Sequence, residues 1–494
     1  MKNRRGLLQL EGLTERIVPA VSIRAVDGDL VISGIANLNA GSPTLWVTVS
    51  ADNTVAIRDG GTSASAGGIN RGTYAVTGDL IFNLSNRNDI VNIDFDGAHT
   101  LDGGITANLN NGNDAINFTN SGVDDVTISG DITVDGGNGN DTFTINNKSA
   151  AADVTYFVGG AISFNGGAGA DIFDANRTVT APTNEAALTI GNGLILTRVN
   201  TVRVGTTAAV GLAPVSIDGN FAFNASVDKL VANTVTLGSA SANAVTVAGA
   251  LAITGGQGAD NVDWLNLNVV DVVPAEDAVI EVSVILGQGS NSLDLTDTQI
   301  GINGTPADFA YTGGTGTDSI TLIGTGNTIS GSVNVTLSKG ANTYTDNGSA
   351  YDGNVTLTGS DNTDTIDLTI ATIGGMLSVS LGKGTNGLNL DTSSKVGGGL
   401  FYQGGSGVDN VTIATGDDLA GDVTISLGTN SDILAFTGFT SGSEKLTNLI
   451  IDLGNDNSTA TGFDTVTYSL ALSTDGIWTD PLFLGSLDSV STTP

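Results

Sequence analysis

The chain has 494 residues, 69 of them glycine and none cysteine, and its 51 acidic side chains outnumber 17 basic ones to give a net charge of -34. That field repels phosphate backbones, so nucleic acid is not an expected partner, and it favours divalent cations. Disulfide staples and thiolate metal sites are excluded, and no apolar run approaches the roughly 20 residues that a membrane-crossing helix needs.

The first residues read MKNRRGLLQLEGLTERIVPA. Lys2, Arg4 and Arg5 make a basic start, but Glu11, Glu15 and Arg16 interrupt the apolar stretch that a secretory signal peptide requires. The segment resembles the LExLExRxxPA leader of large exported or surface proteins of planctomycete bacteria, matching at Leu10, Glu11, Leu13, Glu15, Arg16, Pro19 and Ala20. The resemblance implies an extracellular or cell-surface address in a bacterium and says nothing about activity. Residues 1–20 are therefore read as an export leader or a cap.

Residues 21–75 hold short alternating stretches such as Thr44-Leu-Trp-Val-Thr-Val-Ser50 and a glycine-serine run at 60–68. They read as an N-terminal β cap, which the exposed edge of a stacked sheet requires. A repeat follows. Twelve acidic or amide residues, each closing a short turn, recur at Asp89, Asp114, Asp141, Asp171, Asp260, Asn291, Asp318, Asn342, Asp364, Asn386, Asp409 and Asp432, 22 to 31 residues apart wherever the series is unbroken. Two and four residues after these anchors stand apolar pairs, as at Val91 and Ile93 or Phe143 and Ile145. Nine and seven residues before them stand others, as at Ile132 and Val134. Alternation at period two predicts strands with one buried face. Eleven residues before the anchor, glycine recurs in ten of the twelve units, predicting a second corner.

One such unit, read as strand, tight turn, strand, cannot bury its own apolar face, whereas stacked copies can. The predicted fold is all-β: a right-handed parallel β-helix of about 22–30-residue rungs with a terminal β cap. About 16 rungs at roughly 4.8 Å would make a rod of about 75 to 80 Å. The organisation expected is a solenoid with glycine-rich turns over 76–175, degenerate rungs over 176–248, a regular solenoid over 249–470 and a tail over 471–494. The final stretch lacks the amphipathic strands of an outer-membrane barrel, so a self-transporting adhesin is not expected.

Within 249–470 the residue five before the anchor alternates, Gly at 255, 313, 359 and 404 and Leu at 286, 337, 381 and 427. The residue two positions earlier is generally larger beside glycine and smaller beside leucine, which predicts that both positions face one core and compensate in volume. The alternative is a 45-residue coil with glycine turns on one side and leucine turns on the other.

The turns GGNGND, GGAGAD, GGQGAD, GGTGTD and GGSGVD end at Asp141, Asp171, Asp260, Asp318 and Asp409. They resemble those of the repeats-in-toxin β-roll, which implies calcium held by turn carbonyls and these five aspartates. The family's turns come every nine residues in tandem, and these do not. Their neighbours LGQGSN, LSKGAN and LGKGTN offer an amide in place of the carboxylate, and two of them carry lysine, Lys339 and Lys383. Read from the residues alone, the same Asp and Asn cap corners by bonding nearby backbone amides, with glycine supplying positive φ. Both readings stay open at this point.

The function expected is that of an exported or cell-surface structural, adhesive or envelope component, reinforced by calcium in the first reading, with extracellular glycans or envelope components as partners. The alternative is a β-helix polysaccharide lyase or glycoside hydrolase. Against it, no arginine follows Arg203, the single histidine is His99, and no nucleophile, phosphate-binding or metalloprotease motif occurs. Asp260 and Asp263 beside Trp264 come nearest to a carboxylate pair with a sugar platform, but Trp264 holds an inward register position.

Overall fold

The structure, a computed structural model, describes residues 21–34, 44–60, 68–97, 99–122, 124–146, 155–175, 187–205, 214–225, 231–239, 245–270, 280–301, 306–391, 393–414, 418–437, 445–454, 464–469, 482–485 and 489–493. The segment read as a leader lies outside these residues.

The described chain is all-β and winds as a parallel β-helix with three sheets. The strand before each anchored turn, such as Ile132–Asp135, joins the first sheet, and the strand after it, such as Thr142–Asn146, joins the second. A two- or three-residue strand such as Tyr156–Val158 then joins a third, 12-stranded sheet before the glycine corner. The rung is thus a triangle and not the two-strand coil expected. The third strand is too short for alternation to reveal it, but it leaves one mark: the residue two before the corner glycine is apolar and buried, as at Leu101, Ile128, Val158, Ile329 and Val396.

Each residue sits on its counterpart one rung away. In the second sheet one file runs from Val91 through Ile116, Phe143, Phe173, Val202, Val235, Val262, Leu293, Ile320, Tyr344, Ile366, Leu388, Val411 and Leu434 to Val466. All of them are buried. This file and its partners in the other sheets form one continuous core, which no rung could bury alone. Aromatic rings stack along it: Phe143 lies 5.5 Å from Phe118, 5.3 Å from Phe173 and 5.7 Å from Phe164 across the core. Trp264 is fully buried against Phe309 at 6.2 Å, while Asp263 points outward.

At the N-terminal end the sheets change direction. Ser22–Val26 pairs antiparallel with Asp29–Ser33 at the edge of the first sheet, and Thr44–Ala51, Thr54–Asp59 and Ile69–Ala75 form an antiparallel meander at the edge of the second. Antiparallel hairpins replace a parallel edge that another strand could join. Through 176–248 the strands keep register in all three sheets, for example Leu188–Ile190, Gly193–Thr197 and Thr201–Val204. Leu482–Gly485 and Ser489–Thr493, inside the segment read as a tail, continue the first and second sheets.

Candidate functional site: the aspartate and asparagine ladder

The anchors form a ladder in two runs, Asp89 to Asn200 and Asn233 to Asp464. The backbone N–H of Asp89 donates to Asp114 Oδ1 at 2.6 Å, that of Asp114 to Asp141 Oδ1 at 2.8 Å, that of Asp141 to Asp171 Oδ1 at 2.9 Å and that of Asp171 to Asn200 Oδ1 at 2.9 Å. The same bond joins Asn233 to Asp260, Asp260 to Asn291, Asp318 to Asn342, Asn342 to Asp364, Asp364 to Asn386, Asp409 to Asp432 and Asp432 to Asp464. Every one of these side chains is buried. Successive turns are therefore adjacent, and the 45-residue coil is not the structure.

Asn200 and Asn233 fill the stretch in which the sequence shows no anchor. Each is followed by the apolar pair, Val202 and Val204 or Val235 and Leu237. What hides them is the turn: Leu196 precedes Asn200 by four residues and Phe223 precedes Asn233 by ten, whereas Phe164 precedes Asp171 by seven. Turn length varies because only the anchor and the flanking strands must stay in register.

Asp and Asn play different parts. An Asp anchor folds one oxygen back onto its own turn, accepting the N–H of Gly256 at Asp260 Oδ2 (2.9 Å) and that of Ser360 at Asp364 Oδ2 (3.0 Å). In these turns the oxygen lies where a side chain five residues earlier would stand: a Cβ on Gly255, Gly313, Gly359 or Gly404 would lie 2.2, 2.0, 2.3 or 1.9 Å from it, whereas Asp89 bonds Ser85 N–H at 2.8 Å with Leu84 at that place. An Asn anchor donates instead. Asn342 Nδ2 bonds the carbonyls of Ser338 and Gly340 in its own turn and Asp364 Oδ1 in the next rung at 2.9 Å. Asn291 and Asn386 reach Asp318 and Asp409 in the same way, at 2.8 and 3.0 Å. The leucines of these turns, Leu286, Leu337 and Leu381, are buried in the core, as is Leu427. Both predicted positions do face one core, and the Gly–Leu alternation follows an Asp–Asn alternation as well as a volume one as far as Leu381 and Asn386, after which Leu427 goes with Asp432.

The five aspartates singled out by their glycine turns separate into two kinds. Asp141 and Asp171 are neighbours in an unbroken carboxylate run, Asp89–Asp114–Asp141–Asp171. Asp260, Asp318 and Asp409 are kept apart by Asn291, Asn342, Asp364 and Asn386. Around the latter three the turn carbonyls accept backbone N–H groups of adjacent rungs, Gln288 on Gly256, Gly289 on Thr315 and Thr429 on Gly405. Around Asp141 the carbonyls of Gly137 and Asn138 accept Ala168 and Gly112. Lys339 and Lys383 are exposed on neighbouring turns. Among the described residues no three His, Cys, Asp or Glu side chains converge as a metal site.

Burial is the leading cause that raises the carboxyls' proton affinity. Asp141 is pushed up to about 7, with Asp114, Asp171 and Asp135 adding repulsion, and Asp114 to about 6 with Asp89 adding repulsion. Asp409 is pushed up to about 6, and Asp260, Asp318 and Asp364 are raised as well, although hydrogen bonds from their asparagine partners pull the other way. Asp114 Oδ2 and Asp141 Oδ2 are buried without a hydrogen-bond partner.

Elsewhere charged pairs are few among the described residues: Arg71 with Asp59, Arg203 with Asp174, His99 with Asp96 and Lys395 with Asp418. Compared with known proteins, the chain matches no family model, no curated protein and no solved structure.

Proposed function

We propose that the chain is an exported or cell-surface structural rod, acting as a spacer, adhesive or envelope component. The observation that carries this reading is the ladder itself: anchors bonded one to the next from Asp89 to Asn200 and from Asn233 to Asp464 tie adjoining rungs of a continuous core. Such a molecule resists bending and local opening because each rung is held on both sides. The outward faces carry Thr, Ser, Asn and Asp between the buried positions, as in Thr343 and Thr345 or Asn389 and Thr412, which suits contact with glycans or matrix. The lyase or hydrolase alternative loses support, because its nearest sugar platform, Trp264, lies in the core. Protease shaving of intact cells of the native organism tests the address: release of fragments of this chain supports the reading, and protection until lysis overturns it.

Calcium reinforcement is a second reading, confined to one part of the ladder. Turn carbonyls around Asp141, Asp260, Asp318 and Asp409 alike accept N–H groups of adjoining rungs, so the carboxylates decide between the turns. The run Asp89–Asp114–Asp141–Asp171 fits better, because the buried oxygens left over on Asp114 and Asp141 lie on neighbouring rungs, whereas Asp318 Oδ2, likewise left over, stands between the asparagine anchors Asn291 and Asn342. Bound there, calcium would offset the repulsion between carboxylates. A thermal midpoint that drops with excess chelator supports it, and an unchanged midpoint favours protonated corners.

A further inference from the structure

In one rung the hydrocarbon file gives way to polar groups. Asp346 occupies the position between Leu322 and Leu368, Tyr344 that between Ile320 and Ile366, and Tyr351 that between Ile329 and Ile373. All three side chains are buried. The Tyr351 hydroxyl donates to Asp346 Oδ2 at 2.8 Å, the Ser349 N–H donates to Asp346 Oδ1 at 3.1 Å, and the hydroxyls of Tyr344 and Tyr351 lie 2.9 Å apart. From this geometry we infer that the rung spanning 342–351 is a pH-sensitive seam in the rod, closed while Asp346 carries its proton and loosened when it ionises.

The reasoning is electrostatic. A carboxylate inside an apolar column pays a large desolvation cost unless a cation or several donors compensate it. The titratable groups facing Asp346 are the phenols of Tyr344 and Tyr351, which resist ionisation themselves because burial raises their proton affinity. The rungs on either side present Leu322, Ile329, Leu368 and Ile373. Two neutral donors and no facing cation leave the ionised acid's charge uncompensated, whereas the neutral acid has no charge to solvate. Burial raises the carboxyl's proton affinity against the opposing pull of Ser349 and Tyr351, so the seam is tightest in acid and weakens as pH rises through the folded-state value.

The neighbouring rungs supply the control. A triple variant, Tyr344→Ile, Asp346→Leu and Tyr351→Ile, copies the residues found above and below, and Asp346→Asn keeps the cavity polar without a titrating group. Hydrogen exchange of the full chain, corrected for intrinsic rates, is read at pH 5 and pH 8 as protection of 342–351 relative to the rung at 387–396. In the wild-type chain the ratio should fall by up to tenfold for each pH unit between the ordinary carboxyl value of 3.8 and the raised folded-state value, and level off above it; in both variants it should stay level throughout. A ratio that is level in the wild-type chain overturns the inference, and so does an equal fall in the triple variant.

Discussion

Asp318 Oδ2 occupies the space that a side chain on Gly313 would need, 2.0 Å from where a Cβ would stand. In this turn conformation glycine leaves room for the carboxylate five residues later. Gly313→Ala should displace Asp318 and cost about 1–3 kcal/mol by chemical denaturation, the range for overpacking a close-packed interior. An unaffected midpoint would mean that the carboxylate has another place to go.

The alternation of Asp and Asn is an electrostatic device. Asn342→Asp would line up three carboxylates from Asp318 to Asp364 and remove the donor that reaches Asp364 Oδ1. Asp364 Oδ1 would keep only the backbone N–H of residue 342, and the new buried carboxylate would stand unpaired between two others. The variant should be clearly destabilised at pH 8 and close to the wild-type chain at pH 4, where the added carboxyl is neutral. Equal stability at pH 8 would remove the charge argument.

In the unalternated run the pH dependence has a definite sign. Folding raises Asp114 to about 6 and Asp141 to about 7 from an ordinary 3.8, so the folded chain binds more protons than the unfolded one between those values. Their stabilising contribution is complete below the ordinary value and is lost as pH rises through 6 to 7. With chelator present, hydrogen-exchange protection of the 89–171 rungs should be higher at pH 5 than at pH 8, and Asp114→Asn combined with Asp141→Asn should flatten the difference.

Damage to the core should stay local. Phe143→Ala removes the ring that touches Phe118, Phe164 and Phe173, a change that costs about 3–5 kcal/mol in a packed interior. Because each rung contacts mainly its neighbours, exchange protection should drop around 115–175 and hold around 364–413. A uniform loss along the rod would show tighter long-range cooperativity than nearest-neighbour stacking gives.

How far the sequence reveals this molecule depends on what each constraint leaves behind in residue type. Strands four to six residues long show their alternation, so the first two sheets and the file through Phe143, Val262, Ile320 and Val411 are legible. The third sheet contributes strands such as Lys395–Val396, too short for any period, and only the buried Val396 two residues before Gly398 betrays it. Asn200 and Asn233 lack a glycine turn and are visible only through their apolar pairs. Gly313 is explained by a hydrogen-bond geometry that no spacing discloses. Asp346 is the reverse case: Tyr344 keeps the pattern two residues after its anchor, and the acid at the next inward position breaks it, which marks the seam.

The ladder is tested most directly by residue-resolved amide exchange at the anchors. The account predicts that the N–H groups of Asp114, Asp141, Asp171, Asp260, Asp318, Asp364 and Asp409 are protected as strongly as the strand amides of Phe143 and Ile320, because each is buried and bonded to a side chain one rung on. Exchange at those seven positions as fast as at the exposed turn residues Lys339 and Lys383 would contradict it.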